Sequence, residues 1–189
     1  MNTRHPFAWI KKESQIPVFI VSFIITILII IGMQILGKPL VTGAAPSGIV
    51  SFEFAGDLET AQAIIASWRQ ESLTYAGLNL GFDYLFMVGY GITIGLGCIL
   101  ISQKLKSKIK PLSFLGILLA WGSILAALLD ALENYALIRL LLGSFNEVWP
   151  VIAKWCAGVK FFLVAIGIGY ILIGVVFLLI TKTKQEKIP

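Results

Sequence analysis

One histidine, His5, and two cysteines, Cys98 and Cys156, are all the imidazole and thiol groups that this 189-residue chain offers. A single histidine, read as part of a cytoplasmic tail before the first apolar run, cannot build a His-ligated haem or a His-containing zinc site inside an apolar bundle. The two cysteines fall in different apolar runs and at opposite depths. Helical rise separates them by roughly 20 Å, far beyond the ~7 Å between Cα atoms that a disulfide tolerates, which also excludes a thiol redox pair. Charge is scarce as well. Only 13% of the residues are charged, against about 25% in soluble domains. Glycines are plentiful but lack any phosphate-binding context, which excludes a nucleotide loop. No cofactor and no metal are expected.

What is present is apolar: 58% of residues are hydrophobic and the mean hydropathy is +0.90. A helix needs about 20 apolar residues to cross a hydrocarbon layer of about 30 Å. Four runs meet that length, at 16–36, 80–102, 112–142 and 151–181. They predict an all-α, four-helix transmembrane bundle forming one integral membrane domain, with a single sizeable non-spanning piece at 37–79. The first run exceeds the ~7–15 apolar residues of a secretory signal and reads as an anchored, lipid-facing helix, interrupted only by Ser22, Thr26 and Gln34.

Lysine and arginine set the orientation. Arg4, Lys11 and Lys12 precede the first span, Lys104, Lys106, Lys108 and Lys110 fill the loop between the second and third, and Lys182, Lys184 and Lys187 follow the fourth. By the positive-inside rule both termini are cytoplasmic and the 37–79 loop is outside. Scattered juxtamembrane lysines suit anionic lipid headgroups and argue against a nucleic-acid partner.

Within the outer loop, Ile49-Val-Ser-Phe-Glu53-Phe-Ala-Gly56 alternates with period 2 and is expected to be extended or a re-entrant lip. Asp57 then has the features of a helix N-cap, with Glu59 in the first turn. Leu58, Ala61, Ile65 and Trp68 recur at helical spacing. An extracytoplasmic amphipathic helix is therefore predicted, lying in the membrane interface with Trp68 at headgroup level. Glu53, Asp57, Trp68 and Arg69 are candidate lid residues over the bundle.

The costliest residues lie inside the spans. Asp130, Glu133 and Asn134 share one face of the third helix, and Asp83 shares a face of the second with Asn79 and Tyr90. Lys160 is placed about one-third of the way along the fourth. All fall in the outer half of the bundle, where an ion costs several kcal/mol unless paired, protonated or hydrated. Gly91 and Gly95, with Gly89 and Gly97, permit close helix approach, within the chain or in a homo-oligomer.

Two readings of this constellation stand side by side. It is a buried ion network that fixes helix register, or it is an outward-opening cavity that binds a ligand, ion or proton. Three carboxylates against Lys160 leave negative charge unbalanced unless Arg69 or Arg139 reaches in, which favours a bound cation or a protonated acid. Oxygen ligands alone would suit a hard divalent cation better than zinc.

The segments Ile49 to Gly56, Trp68, Leu80-Gly-Phe-Asp83-Tyr-Leu-Phe-Met87, Asp130-Ala-Leu-Glu133-Asn134-Tyr-Ala-Leu137 and Lys160-Phe together resemble an uncharacterised family of bacterial four-helix inner-membrane proteins. The resemblance spans about Gly48 to Tyr170. It implies a multi-pass protein of the bacterial cytoplasmic membrane and carries no activity with it.

The function expected from the residues is binding, related to transport. Asp83, Asp130, Glu133, Asn134 and Tyr90 would hold a cation, proton or small molecule, and Lys160 would set their charge. One alternative is an integral membrane enzyme acting on a lipid or isoprenoid-like substrate, with Asp130 and Glu133 as the acid–base pair. The other is an accessory subunit whose polar face is purely structural.

Overall fold

The computed structural model describes residues 5–106 and 109–185, the last four of these by backbone alone. Of the orientation-setting residues, Arg4, Lys108 and Lys187 lie outside the described residues, as do the side chains of Lys182 and Lys184. The protein is 83% helix, with no strand among the described residues. Among the described residues six α-helices follow in order: α1 (Gln15–Gly37), α2 (Ile49–Glu53), α3 (Leu58–Ser67), α4 (Gln70–Leu105), α5 (Lys110–Leu141) and α6 (Val148–Gln185). Four of them, α1, α4, α5 and α6, are long and apolar enough to cross a membrane.

The four long helices do not share the burden of burial equally. α4 is central, packing against α1, α5 and α6, while α5 and α6 also pack on each other. α1 rests on α4 and stands off from α6. Most of its isoleucines, among them Ile20, Ile24, Ile31 and Ile35, are exposed, as a lipid-facing surface would be. Its buried residues are polar: Ser22 and Thr26 turn inward, and Thr26 Oγ1 and Ser22 Oγ meet Thr93 Oγ1 at 3.3 and 3.0 Å. With no hydrophobic drive between helices in lipid, such hydroxyl pairs and close packing hold α1 to α4. The Gly91 and Gly95 pair is spent inside the chain, where a Cβ at Gly91 would touch Ala127 and one at Gly95 would collide with Phe7 and Ser123.

Four sequence expectations are corrected. The segment from Ile49 is a helix, not extended: Gly48, at φ +60°, turns the chain into α2, and Gly56, at φ +79°, turns it out again. Both conformations favour glycine. Period-2 alternation over so few residues also fits one helical turn, since Phe52 and Glu53 are the pair that α2 buries. The second long helix starts at Gln70, ten residues before the apolar run that announced it.

Trp68 is not at an exposed interface. It is buried beneath the cap, its indole N–H donating to Leu40 O at 2.9 Å and its ring edge-on to Phe52 at 5.3 Å. Finally, the residues around His5 do not form a free tail. Phe7 and Ile10 are buried in the core, and the Phe7 ring occupies the space that Gly95 leaves by having no side chain.

The short helices α2 and α3 form a cap over one end of the bundle. α3 begins as expected, with Asp57 accepting from Thr60 N at 2.7 Å. Its inner face presents Ala61 and Ile64 to a core that includes Leu40, Phe52, Leu137 and Leu140. A separate core, around Tyr90, Ile94, Ile99 and Leu119, fills the rest of the bundle. The polar residues come together between these two cores.

Candidate functional site

Two carboxylates one helical turn apart on α5 meet one ammonium from α6. Lys160 Nζ lies 2.6 Å from Asp130 Oδ1 and 2.9 Å from Glu133 Oε1. Cys156 and Ala157, buried one turn earlier on α6, leave room for the lysine. From α4, Tyr90 donates its hydroxyl to Asp130 Oδ2 at 3.0 Å, and Asp83, two turns earlier on the same face, accepts from Asn134 Nδ2 at 2.7 Å. All six residues are at least 95% buried. The structure thus brings together Asp83, Tyr90, Asp130, Glu133, Asn134 and Lys160, with Asn79 nearby donating instead to Met33 O at 2.9 Å.

A seventh group joins them from the cap. Glu53 closes α2 and is only 6% exposed. It approaches the cluster because Phe52 packs on Trp68 and Phe54 stacks on Phe161 of α6 at 5.9 Å, which pins the short helix at both sides. The sequence marks Glu53 only as a lid residue. Its neighbours Phe52 and Gly56 hint at a buried turn, but nothing in the pattern shows that the carboxyl faces inward. The other lid candidates stay outside: Asp57 and Arg69 are exposed and do not line the cavity, and Trp68 is a packing residue.

The electrostatics are unbalanced. Four buried carboxyls, of Glu53, Asp83, Asp130 and Glu133, face the ammonium of Lys160. The arginines do not compensate. Arg69 is exposed, and Arg139 lies over the Trp149 ring at 5.7 Å with a hydrogen bond to Ser144. Three buried acceptor atoms of this cluster lack a donor among the described residues: Glu53 Oε2, Glu133 Oε2 and Asn134 Oδ1. Burial pushes the Glu53 carboxyl up to about 7, with Lys160 pulling it down and Asp83 and Asp130 pushing it further up. By contrast Asp57, at the surface, is held below the usual carboxylate range by the Thr60 backbone N–H.

Beside this cluster runs a cavity of about 730 Å³. Its polar wall carries Glu53, Asp83, Tyr90, Asp130 and Lys160, whereas Glu133 and Asn134 lie behind them. The rest of the lining comes mainly from α1 and α6, which make little contact with each other, and is mostly apolar, with Thr26, Gln34, Lys38, Ser47, Asn79 and Thr93 as further polar residues. Phe23 and Ile27 on α1, and Ile168 and Leu172 on α6, line the cavity and are also exposed, so it opens sideways between those helices. Among the described residues no group of three or more His, Cys, Asp and Glu side chains is arranged to hold a metal ion. The arrangement can bind a positively charged or proton-donating group, and it can store a proton.

No protein-family model, curated protein or solved structure matches this chain. Chemistry and geometry alone carry the functional assignment.

Proposed function

We propose that this is a multi-pass membrane protein that binds a small molecule or cation at the buried acidic cluster. The site is reached from the groove between α1 and α6 and roofed by α2. One observation carries the reading: four buried carboxyls face one lysine, beside a cavity, with three buried acceptors lacking donors. A purely structural network would be expected to satisfy its own polar atoms, because each buried acceptor without a donor costs about 1–3 kcal/mol. A ligand that brings positive charge to the cavity wall offsets the excess of carboxyls over the one buried lysine.

Orientation follows from the lysines. Lys11, Lys12, Lys104, Lys106 and Lys110 are all exposed and cluster in sequence at the ends of α1, α4 and α5 away from the α2–α3 cap. Under the positive-inside rule that end is cytoplasmic and the cap faces the outside; a bacterial cytoplasmic membrane is what the resemblance to the four-helix inner-membrane family implies. Lipids are then the constant neighbours of the exposed faces of α1 and α6.

The test is the thermal stability of the purified protein across pH and a panel of monovalent cations, divalent cations, amines and lipids. Wild type is measured beside Asp83→Asn and Glu133→Gln. A stabilisation by one class that both variants lose supports the site. A flat wild-type response, with both variants merely less stable, overturns it in favour of a structural network. Turnover of a lipid probe by the wild type and not by Glu133→Gln would make the same cluster the acid–base pair of an enzyme.

A further inference from the structure

Resting on the binding reading above, we infer that the ligand is a single-chain amphiphile with a protonated amine head. The head occupies the acidic cluster, and the aliphatic tail lies in the groove between α1 and α6.

The head chemistry follows from what the cavity wall offers. Lys160, the buried cation of the lining, already serves two carboxylates at 2.6 and 2.9 Å and has little left for an anionic head, and Lys38, the other lysine of the lining, is exposed to solvent. The groups without partners are acceptors, and the carboxyl of Glu53, on the cavity wall, has one such oxygen. An ammonium is the complement of that inventory, with three donors, no acceptor and a positive charge. A carboxylate, phosphate or sulfate head would add acceptors and negative charge where both are in excess.

The tail follows from the shape of the cavity. From Lys160 to Leu172 the lining runs along α6 for about 18 Å at 1.5 Å per residue. Ile27 and Ile30 of α1 face that stretch across the gap, with Thr93 and Ile94 of α4 as floor. The volume of about 730 Å³ is within the range of sites that enclose one small ligand and lies along the helix axes. Because the edges of the groove are exposed on the apolar faces of α1 and α6, a molecule dissolved in the bilayer reaches the site without crossing water. A small hydrated cation would have no use for the apolar stretch of this cavity along α1 and α6.

The experiment compares dodecylamine, hexylamine and dodecanoate on the full chain in lipid nanodiscs, each scaled to its concentration in the bilayer. The readout is the shift in unfolding temperature, which tracks binding to the folded state. Dodecylamine is expected to stabilise at a tenfold or more lower concentration than hexylamine, and dodecanoate is expected not to stabilise. Asp83→Asn should lose the response to both amines. Ile30→Trp, which fills the groove, should lower dodecylamine to the level of hexylamine and leave hexylamine unchanged.

Equal potency of the two amines in the wild type, both abolished by Asp83→Asn, would overturn the tail assignment while leaving the acidic site intact. Equal stabilisation by dodecanoate and dodecylamine would overturn the amine head. If neither amine, no cation and no pH change distinguishes wild type from Asp83→Asn, the binding reading itself fails. Should Ile30→Trp not fold, the chain-length comparison on the unsubstituted protein still decides.

Discussion

Lys160 Nζ and Asp130 Oδ1 lie 2.6 Å apart across the α5–α6 interface, and neither residue is more than 5% exposed. The pair is bracketed by Glu133 on one side and Tyr90 on the other, so each ionic group also has a hydrogen bond. A pair of this kind adds little net stability but is expensive to break from one side. Lys160→Met is therefore expected to destabilise the bundle by about 3–5 kcal/mol, because it leaves buried carboxyls without any cation. Adding Asp130→Asn should restore part of the loss. Chemical unfolding of the single and double variants in detergent measures both; full additivity of the two losses would show that they do not interact.

Glu53 makes stability depend on pH. Its carboxyl rises from 4.5 to about 7 on folding, chiefly through burial. A raised carboxyl binds its proton more tightly in the folded state, so its contribution is complete below pH 4.5 and is lost as pH rises through about 7. Between those limits stability should fall by on the order of 1–3 kcal/mol. Glu53→Gln removes the titrating group and keeps a hydrogen-bonding side chain. It should flatten this part of a plot of unfolding temperature against pH, and an unchanged slope in the variant would assign the effect to another group.

The α1–α4 contact is tight at one point. A Cβ added at Gly89 would lie 2.7 Å from Thr26 Oγ1, closer than real Cβ atoms come to any neighbour. Thr26 cannot simply swing away, because its hydroxyl is committed to Ser22 O at 2.7 Å. Gly89→Ala should cost about 1–3 kcal/mol by prying the two helices apart. Gly158→Ala is the control: nothing lies within 4 Å of its added methyl, so it should be neutral or slightly stabilising through helix propensity.

Trp68 and Trp155 should respond in opposite ways to the membrane. Trp155 is 71% exposed on α6, whereas Trp68 is 4% exposed and hydrogen-bonded under the cap. In single-tryptophan variants reconstituted with brominated lipid, Trp155 fluorescence should be quenched strongly and Trp68 fluorescence hardly at all. Trp68→Ala should cost about 3–5 kcal/mol, as expected for a buried aromatic. Strong quenching of Trp68 would place it at the headgroups instead, with the cap lying flat on the membrane.

The helical class and the four long helices were legible in the chain because each apolar run is long enough to span and carries its own backbone hydrogen bonds. The same periodicity put Asp130, Glu133 and Asn134 on one face and Asp83 and Tyr90 on another, since positions three, four and seven apart in a helix must align. That these faces meet at Lys160 follows from depth alone: each group is costly in an apolar layer, and groups of opposite charge at one level have strong reason to pair. Even the N-cap at Asp57 is a local matter of one side chain and the backbone three residues on.

Tertiary packing alone decided the rest. Whether Glu53 points into the bundle depends on Phe52 finding Trp68 and Phe54 finding Phe161, contacts between residues up to 107 positions apart that no local pattern encodes. Trp68 is amphipathic enough to suit either an interface or a core, and only the position of Leu40 O resolves which. The groove exists because α1 packs on α4 and not on α6, and an all-round apolar helix carries no stripe in its sequence to say which neighbour it will choose.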